Sequence, residues 1–578
     1  MNKLQKSVVT DLSGHKAWQH ANFVTQFLRQ HGSSGLRESI KYSRERLEEY
    51  GLDEVYVVKY PSDDNGTEDL GFIGWDVNDA SLEIVGPIDK KLTSYDDAPT
   101  CIGHWSIPTP PEGVVAELVD VGRGVEESDF IGKDVQGKIV LASGEGNLPC
   151  GPRMFQLAIE KYGALGLVTD NFLYERNLPG DDNKGNRVRR NHPDAISLLR
   201  CCSKEGTGWA FSISHSQGEY LRSLLKNGPV KLKAFIDAKL FPGKGEALIG
   251  VINGSEKSEQ EVWFVAHSSG TKPGGNCAGG VGLWIENART IMSLIRQGKI
   301  SRPKRTIKFI LGAEGAGLGA YLKTFSGDFK NILAAFVYCS VGNDQSESQT
   351  SLIHYKSAES IPSYINDLCI DTIEKVSKDG LPQFKDEDRD IKLIRFNTLP
   401  YTPWSDNSRL MRLKVPSPLF MSWPCKHFHT QSYTADKLDP AVLKRCGEVT
   451  TSVALTIANA GTDQARYIAH MVESKGEARL MNASVQTYDD LLDELCELNK
   501  DGKQRKEAIK NIEKIVKYRK GEITYLTERS LGALESVKSL VNDSSFYDEV
   551  NSLKESFLKK NKFEIEKIDS FSSLLEEV

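Results

Sequence analysis

VWFVAHSSGTKPGGNCAGG (262–280) and TIKFILGAE (306–314) decide the fold. The first opens with an unbroken apolar run that ends on His267, the pattern of a strand buried on both faces. A glycine-rich turn then carries Cys277 into a stretch where Val281, Trp284, Ile285, Ala288, Ile291, Met292 and Ile295 recur every three or four residues. That spacing predicts a helix that lays one face on a sheet. TIKFILG supplies the next strand, leading to Glu314, and a third apolar strand leads to Cys339. Strands alternating with helices predict an open α/β sheet. Its polar residues gather at the C-terminal strand ends, the edge at which such sheets bind ligands.

Working outward, SSGLRESIKYSRERLEEYGL (33–52) predicts a helix capped by Ser33 or Ser34 and stopped by Gly51, and DEVYVVKY alternates as a strand. From about residue 110 the pattern turns to short strands, GVVAELVDVG, GKIVLASGE and ALGLVTDN, with one helix between the second and third. The charged stretch 175–194 inside this region reads as an exposed loop. Beyond about residue 461, Leu and Ile recur at helical spacing among many charges with little proline. The reading is an all-helical C-terminal domain without sustained heptads, suited to packing or self-association, with faces too mixed in charge for a membrane helix.

A chain of 578 residues predicts several domains. With 39% hydrophobic and 26% charged residues it has the composition of a globular protein, and a net charge of −6 gives no electrostatic case for nucleic acid or an anionic membrane. The N-terminal residues lack a secretory apolar run and nothing reaches membrane-span length, so the expected location is the cytoplasm. Ten cysteines without a CxxC spacing read as reduced thiols.

The order strand, His267, PGGNC turn, helix, strand, Glu314, followed by HTQSYTADKLDP (429–440), resembles the zinc aminopeptidase group. This group, peptidase family twenty-eight, takes in bacterial leucyl aminopeptidases, glutamate carboxypeptidase and glutaminyl cyclases. The 110–245 region is similar to the protease-associated module inserted in such peptidases. The resemblance implies an open mixed-sheet, zinc-exopeptidase-like domain at 1–109 and 246–460. The insert spans 110–245 and the helical domain 461–578.

Position by position, the resemblance puts His267 at the first metal-binding His, Cys277 at the Asp that bridges two metals, Glu314 at the general base and His429 at the final His. Gly315 stands where many members carry a second Glu, and Cys339 falls near the next Asp ligand. The family's two zinc ions need a bridging carboxylate that this chain lacks. The implied site is therefore a single zinc ion on His267, Cys277 and Cys339, with Glu314 and His429 catalytic. PWSDNSRLMRLKVPSPLFMSWPCKHFHT (403–430) resembles the substrate-pocket region, with Asn407 in the usual His position. Trp404, Asp406, Arg409 and Trp423 are its candidate substrate contacts.

Taken alone, each of these residues also has a packing role: His267 as a hydrogen-bonded strand end, the two thiols as small buried hydrophobes, Glu314 as a solvated loop acid. A thiol nucleophile or redox pair at Cys277 and Cys339 is a further reading. The expected function is a metallohydrolase acting on a peptide or small amide. A catalytically silent peptide-binding scaffold and a cyclase or acyl-transfer enzyme are the alternatives.

Overall fold

The computed structural model describes residues 3–62, 73–144, 151–171, 192–200, 206–379, 394–498 and 502–577. The 175–194 loop falls outside the described residues apart from its last three.

Among the described residues, fifteen strands form two sheets. In chain order they are β1 (Glu54–Ser62), β2 (Gly74–Gly86), β3 (Asp89–Ser94), β4 (Val114–Asp120), β5 (Ile139–Ala142), β6 (Gly166–Thr169), β7 (Ala210–Ser212), β8 (Lys231–Phe241), β9 (Gly243–Ile252), β10 (Lys257–His267), β11 (Arg305–Gly312), β12 (Ile332–Tyr338), β13 (Ser351–Tyr355), β14 (Phe396–Leu399) and β15 (Leu419–Trp423).

The larger sheet has the order β1-β9-β11-β10-β12-β15-β13-β14. Its centre, β11-β10-β12-β15, is parallel, while β9 runs antiparallel to β11 and β13 antiparallel to β15. It is the open α/β sheet that the apolar runs predict, and it is mixed, as the resemblance implies. Side chains of β10 alternate between two cores. Val262, Phe264 and Ala266 enter the cluster shared with helices Gly14–Val24, Gly275–Arg296 and Pro440–Asn459. Trp263 and Val265 pack on the other face with Leu318 and Tyr321 of helix Ala316–Thr324. The helix expected at 33–52 runs Ser34–Tyr50, with Ser33 accepting from the Leu36 N–H and Gly51 in the left-handed conformation.

The smaller sheet has the order β3-β2-β8-β4-β5-β6-β7, parallel from β4 to β7 and antiparallel elsewhere. It takes in β2 and β3, which the sequence reading gave to the first part of the larger domain. These two strands precede residue 110 yet belong to this sheet. The reason is long-range pairing: β2 runs alongside β8, from Gly74 opposite Phe241 to Gly86 opposite Lys231, a partnership no local pattern announces.

Three long helices, Thr462–Glu497, Lys503–Val537 and Ser544–Glu577, follow the larger sheet. Arg305, fully buried, fixes them to it. Its guanidinium donates to the Ile457 and Ala460 carbonyls at 2.9 and 3.0 Å, and also to the Leu540 carbonyl. Arg479 adds a two-pronged pair with buried Asp367 at 2.6 and 3.1 Å. Farther out the helices have their own core, including Leu480, Leu491, Ile512, Ile523, Phe557 and Ile568. Among the described residues, no helix is long and apolar enough to cross a membrane.

Candidate functional site

Three neighbouring parallel strands deliver three polar side chains to one edge. β10 ends on His267, β12 stops one residue before Cys339, and β11 stops two residues before Glu314. Register brings these ends level, with His267 opposite Gly312 and Ala266 opposite Tyr338. One ligand-type atom from each of His267, Glu314 and Cys339 lies within 4.8 Å of the other two.

Cys277 is not in that trio. It is buried in the first turn of helix Gly275–Arg296, close enough to His267 and Cys339 to influence their charge. Fully buried Arg29 holds the loop that leads there, donating to the Ser268 and Gly274 carbonyls, each at 2.8 Å. Burial lowers the Arg29 pKa to about 10, so the guanidinium stays charged at neutral pH beside the Cys277 thiol.

The imidazole of His267 is oriented from behind. Its Nδ1 lies 3.3 Å from Ser405 Oγ and 3.5 Å from Asp406 Oδ2. Ser405 Oγ also donates to Glu314 Oε1 at 3.1 Å, so a single hydroxyl joins the acid to the imidazole. Burial opposes charge on His267, yet Glu314, Cys277, Cys339 and Asp406 together raise its pKa well above the usual imidazole value. Burial likewise pushes the Glu314 carboxyl up, but His267, Arg200, Ser405 and His429 overcome it and the pKa falls below normal. The Cys339 thiol moves up, because burial outweighs the pull of His267.

His429 is within electrostatic reach of Glu314 and His267. Its backbone is left-handed (φ 57°), a conformation a non-glycine residue holds only when its surroundings impose it. The ring stacks on Phe428 at 3.8 Å, and its carbonyl accepts the Leu198 N–H at 2.7 Å. Ser197 and Thr430 form an isolated bridge beside that bond, so the smaller-sheet domain is tied to the edge of the site. Burial, helped by Arg200, lowers the His429 pKa to about 3.

The remaining sequence candidates fall into two groups. Trp404, Trp423 and Phe428 form a continuous aromatic row, with ring centroids 4.8 and 5.1 Å apart, leading to His429. Asp406, expected beside a substrate, is 2% exposed, lies by His267 and accepts the Gly315 N–H at Oδ1 at 2.9 Å. Arg409 lies next to Gly315, its guanidinium 3.4 Å from where a Cβ on that glycine would sit. Sequence reading missed Ser405, His31 and Arg200. His31, whose pKa burial lowers to about 4, lies within electrostatic reach of Glu314, His267 and Arg200. Ser405 stood inside the quoted PWSDN segment, whereas neither His31 nor Arg200 carries a local signal.

No family model matches the chain, and no curated protein matches it in sequence. Solved structures do. An aminopeptidase from Aneurinibacillus sp. strain AM-1 superposes with a TM-score of 0.50 at 20% identity, over 79% of this chain and 97% of that one. A zinc aminopeptidase from Bacillus subtilis gives 0.51 at 18%, over 76% and 94%. A peptidase M28 precursor from Shewanella amazonensis SB2B gives 0.53 at 18%, over 79% and 95%. The chain shares their fold. At these identities the likeness concerns architecture, and activity must be argued from the site.

The donor set can be tested against zinc. An imidazole nitrogen, a thiol sulfur and a carboxylate oxygen within 4.8 Å are ligand types that zinc accepts, and a carboxylate behind the imidazole is the usual support for a zinc-binding His. These donor types suit a zinc ion.

Proposed function

We propose that the protein is a metallohydrolase of peptide or small-amide bonds working with one zinc ion. The observation that carries this reading is the convergence of His267, Glu314 and Cys339 at the ends of three adjacent strands. His267 and Cys339 would hold the ion beside Glu314, with Cys277, outside the trio but within electrostatic reach of both ligands, as the third ligand that the resemblance implies. A zinc there would supply Lewis-acid polarisation of the scissile carbonyl. Asp406 and Ser405 hold the imidazole at its Nδ1 edge. Glu314, kept as a carboxylate by His267 and Ser405, takes the proton from the attacking water and returns it to the departing amine. The row Trp404–Trp423–Phe428 offers an apolar wall for the substrate side chain, and the smaller-sheet domain plays the part of a protease-associated module bordering the site.

Metal analysis of chelator-free protein alongside an aminopeptidase panel tests this. The reading requires zinc and turnover that falls by about 10²–10⁴-fold in Glu314→Gln. Metal-free protein that binds peptides without cleaving them supports the second reading, a silent peptidase scaffold, which the missing side chain at Gly315 favours.

A further inference from the structure

The three long helices are held at the edge of the larger sheet opposite the site. At the start of β10, Lys257 and Gln260 donate to the Leu540 and Ser539 carbonyls, each at 3.1 Å, and Arg305 opens β11 beside them. Of the thirteen large hydrophobic side chains exposed among the described residues, eight belong to these helices, which makes them the first place to look for a contact surface.

One face of helix Lys503–Val537 can be followed outward from the domain it packs on. Ser536 accepts the Tyr364 N–H at 3.0 Å, Gly532 approaches Pro362 so closely that a Cβ would lie 2.5 Å away, Arg529 pairs with Glu359 at 3.1 Å, and Tyr525 donates to the same carboxylate. At the same three- and four-residue spacing the face continues as Gly521, Tyr518 and Lys514, all exposed, Tyr518 at 67%. A Cβ on Gly521 would meet nothing within 4 Å, and Lys514, Lys517, Tyr518, Glu522 and Tyr525 surround the open hollow there.

On the neighbouring antiparallel helix Thr462–Glu497, Met481, Val485, Asp489 and Leu492 form an exposed stripe of like spacing, with exposed Asp493 beside it. Cross-links between the two helices set their register: Arg519 donates to Gln486 at 3.2 Å and Asp490 at 2.6 Å, and Asn511 to Glu494 at 3.1 Å. Counted from these bonds, Val485 lies level with Gly521, Asp489 with Lys517 and Leu492 with Lys514, to within about one turn.

We propose that this face binds a second copy of the chain, the two sets of helices pairing about a two-fold axis parallel to their length. That symmetry lays each acidic helix antiparallel on the other copy's basic one, so that residues meet at their own level. Val485 then enters the hollow at the partner's Gly521, Leu492 lies on the aliphatic stem of the partner's Lys514, and Asp489 faces the partner's Lys517. Charge selects the occupant, because exposed acids on one helix and exposed lysines on the next satisfy each other twice in a self-pair. The contact also extends the face by which Tyr525, Arg529 and Gly532 already pack on their own domain. Nothing in it depends on the metal site, which lies at the other edge of the sheet.

Sedimentation equilibrium of the full-length protein from about 1 to about 100 μM tests this. Wild-type protein should form a dimer that dissociates more readily as salt rises. Val485→Lys and Tyr518→Glu, on different helices, should each weaken the dimer about tenfold or more, with circular dichroism unchanged because both side chains are exposed. Asp489→Lys with Asp493→Lys should do the same, and adding Lys514→Glu and Lys517→Glu to that chain should restore the dimer by exchanging the charges. Wild-type protein that stays monomeric at about 100 μM overturns the proposal, as does a dimer that these substitutions weaken less than about twofold. Monomeric protein that instead binds a polyglutamate peptide, and loses it in Lys514→Glu, would give the face to an acidic partner and equally overturn the self-pair.

Discussion

Ser405 Oγ donates to Glu314 Oε1 at 3.1 Å and lies 3.3 Å from His267 Nδ1. One hydroxyl thereby serves both the acid and the imidazole of the site. Ser405→Ala removes a hydrogen bond that favours the Glu314 carboxylate, so the Glu314 pKa should rise. Because the reaction needs the ionised acid, the acid limb of the kcat/KM profile should move to higher pH, and a pH–rate series on the two proteins reads the shift directly. An unmoved limb would mean that the hydroxyl does not tune Glu314.

Gly315 has φ +69° and ψ −53°, a region closed to residues with a Cβ. Gly315→Glu would place a side chain where the resemblance has a metal-binding Glu, yet it must adopt that backbone and press on Arg409. The expected outcome is a loss of about 1–3 kcal/mol in chemical denaturation without any gain in bound zinc. A second equivalent of metal in this variant would show that the dinuclear site was one residue away.

His429 and His31 have folded pKa values of about 3 and about 4, both below the ordinary 6.5. Between those limits the unfolded chain binds protons that the folded chain refuses, so stability falls as pH drops from 6.5 toward 4, by up to about 1.4 kcal/mol per pH unit for each group. His267 and Glu314 act oppositely to one another. The raised His267 adds stability that is complete below 6.5 and fades as pH climbs through its folded pKa. The lowered Glu314 adds stability above about 4.3, which fades as pH falls through its own. His429→Gln should flatten the acid side of a stability–pH curve measured by urea denaturation between pH 7 and about 4.5.

Arg305 supplies hydrogen bonds to three carbonyls where helix Pro440–Asn459 ends and the C-terminal helices return. Arg305→Met would leave those oxygens buried and unsatisfied. A cost of about 3 kcal/mol or more is expected, together with faster proteolysis near residue 540. Equal stability in both assays would remove Arg305 from the account of how the helices are held.

Much of this was legible because buried parallel strands advertise themselves. VWFVA and TIKFILG needed no context to be read as strands, and the Ser33 and Gly51 caps fixed a helix to within a residue. Legibility ended where partners are distant. β2 could not be assigned without β8, which lies far along the chain. Asp406 was noticed as a polar residue in the right segment, but spacing does not say that its carboxylate turns inward to His267 and Gly315. His31 and Arg200 belong to the site only through tertiary packing, one from the N-terminal region and one from the smaller-sheet domain. Resemblance gave Cys277 a ligand's place and Glu314 the base's, and strand register brings Glu314 to the same edge as His267 and Cys339.

The most direct measurement is elemental analysis of the protein prepared without chelators, wild type beside His267→Ala and Cys339→Ser. The account predicts about one zinc per wild-type chain, lost in both variants. Zinc-free wild-type protein, or zinc that survives both substitutions, would contradict it.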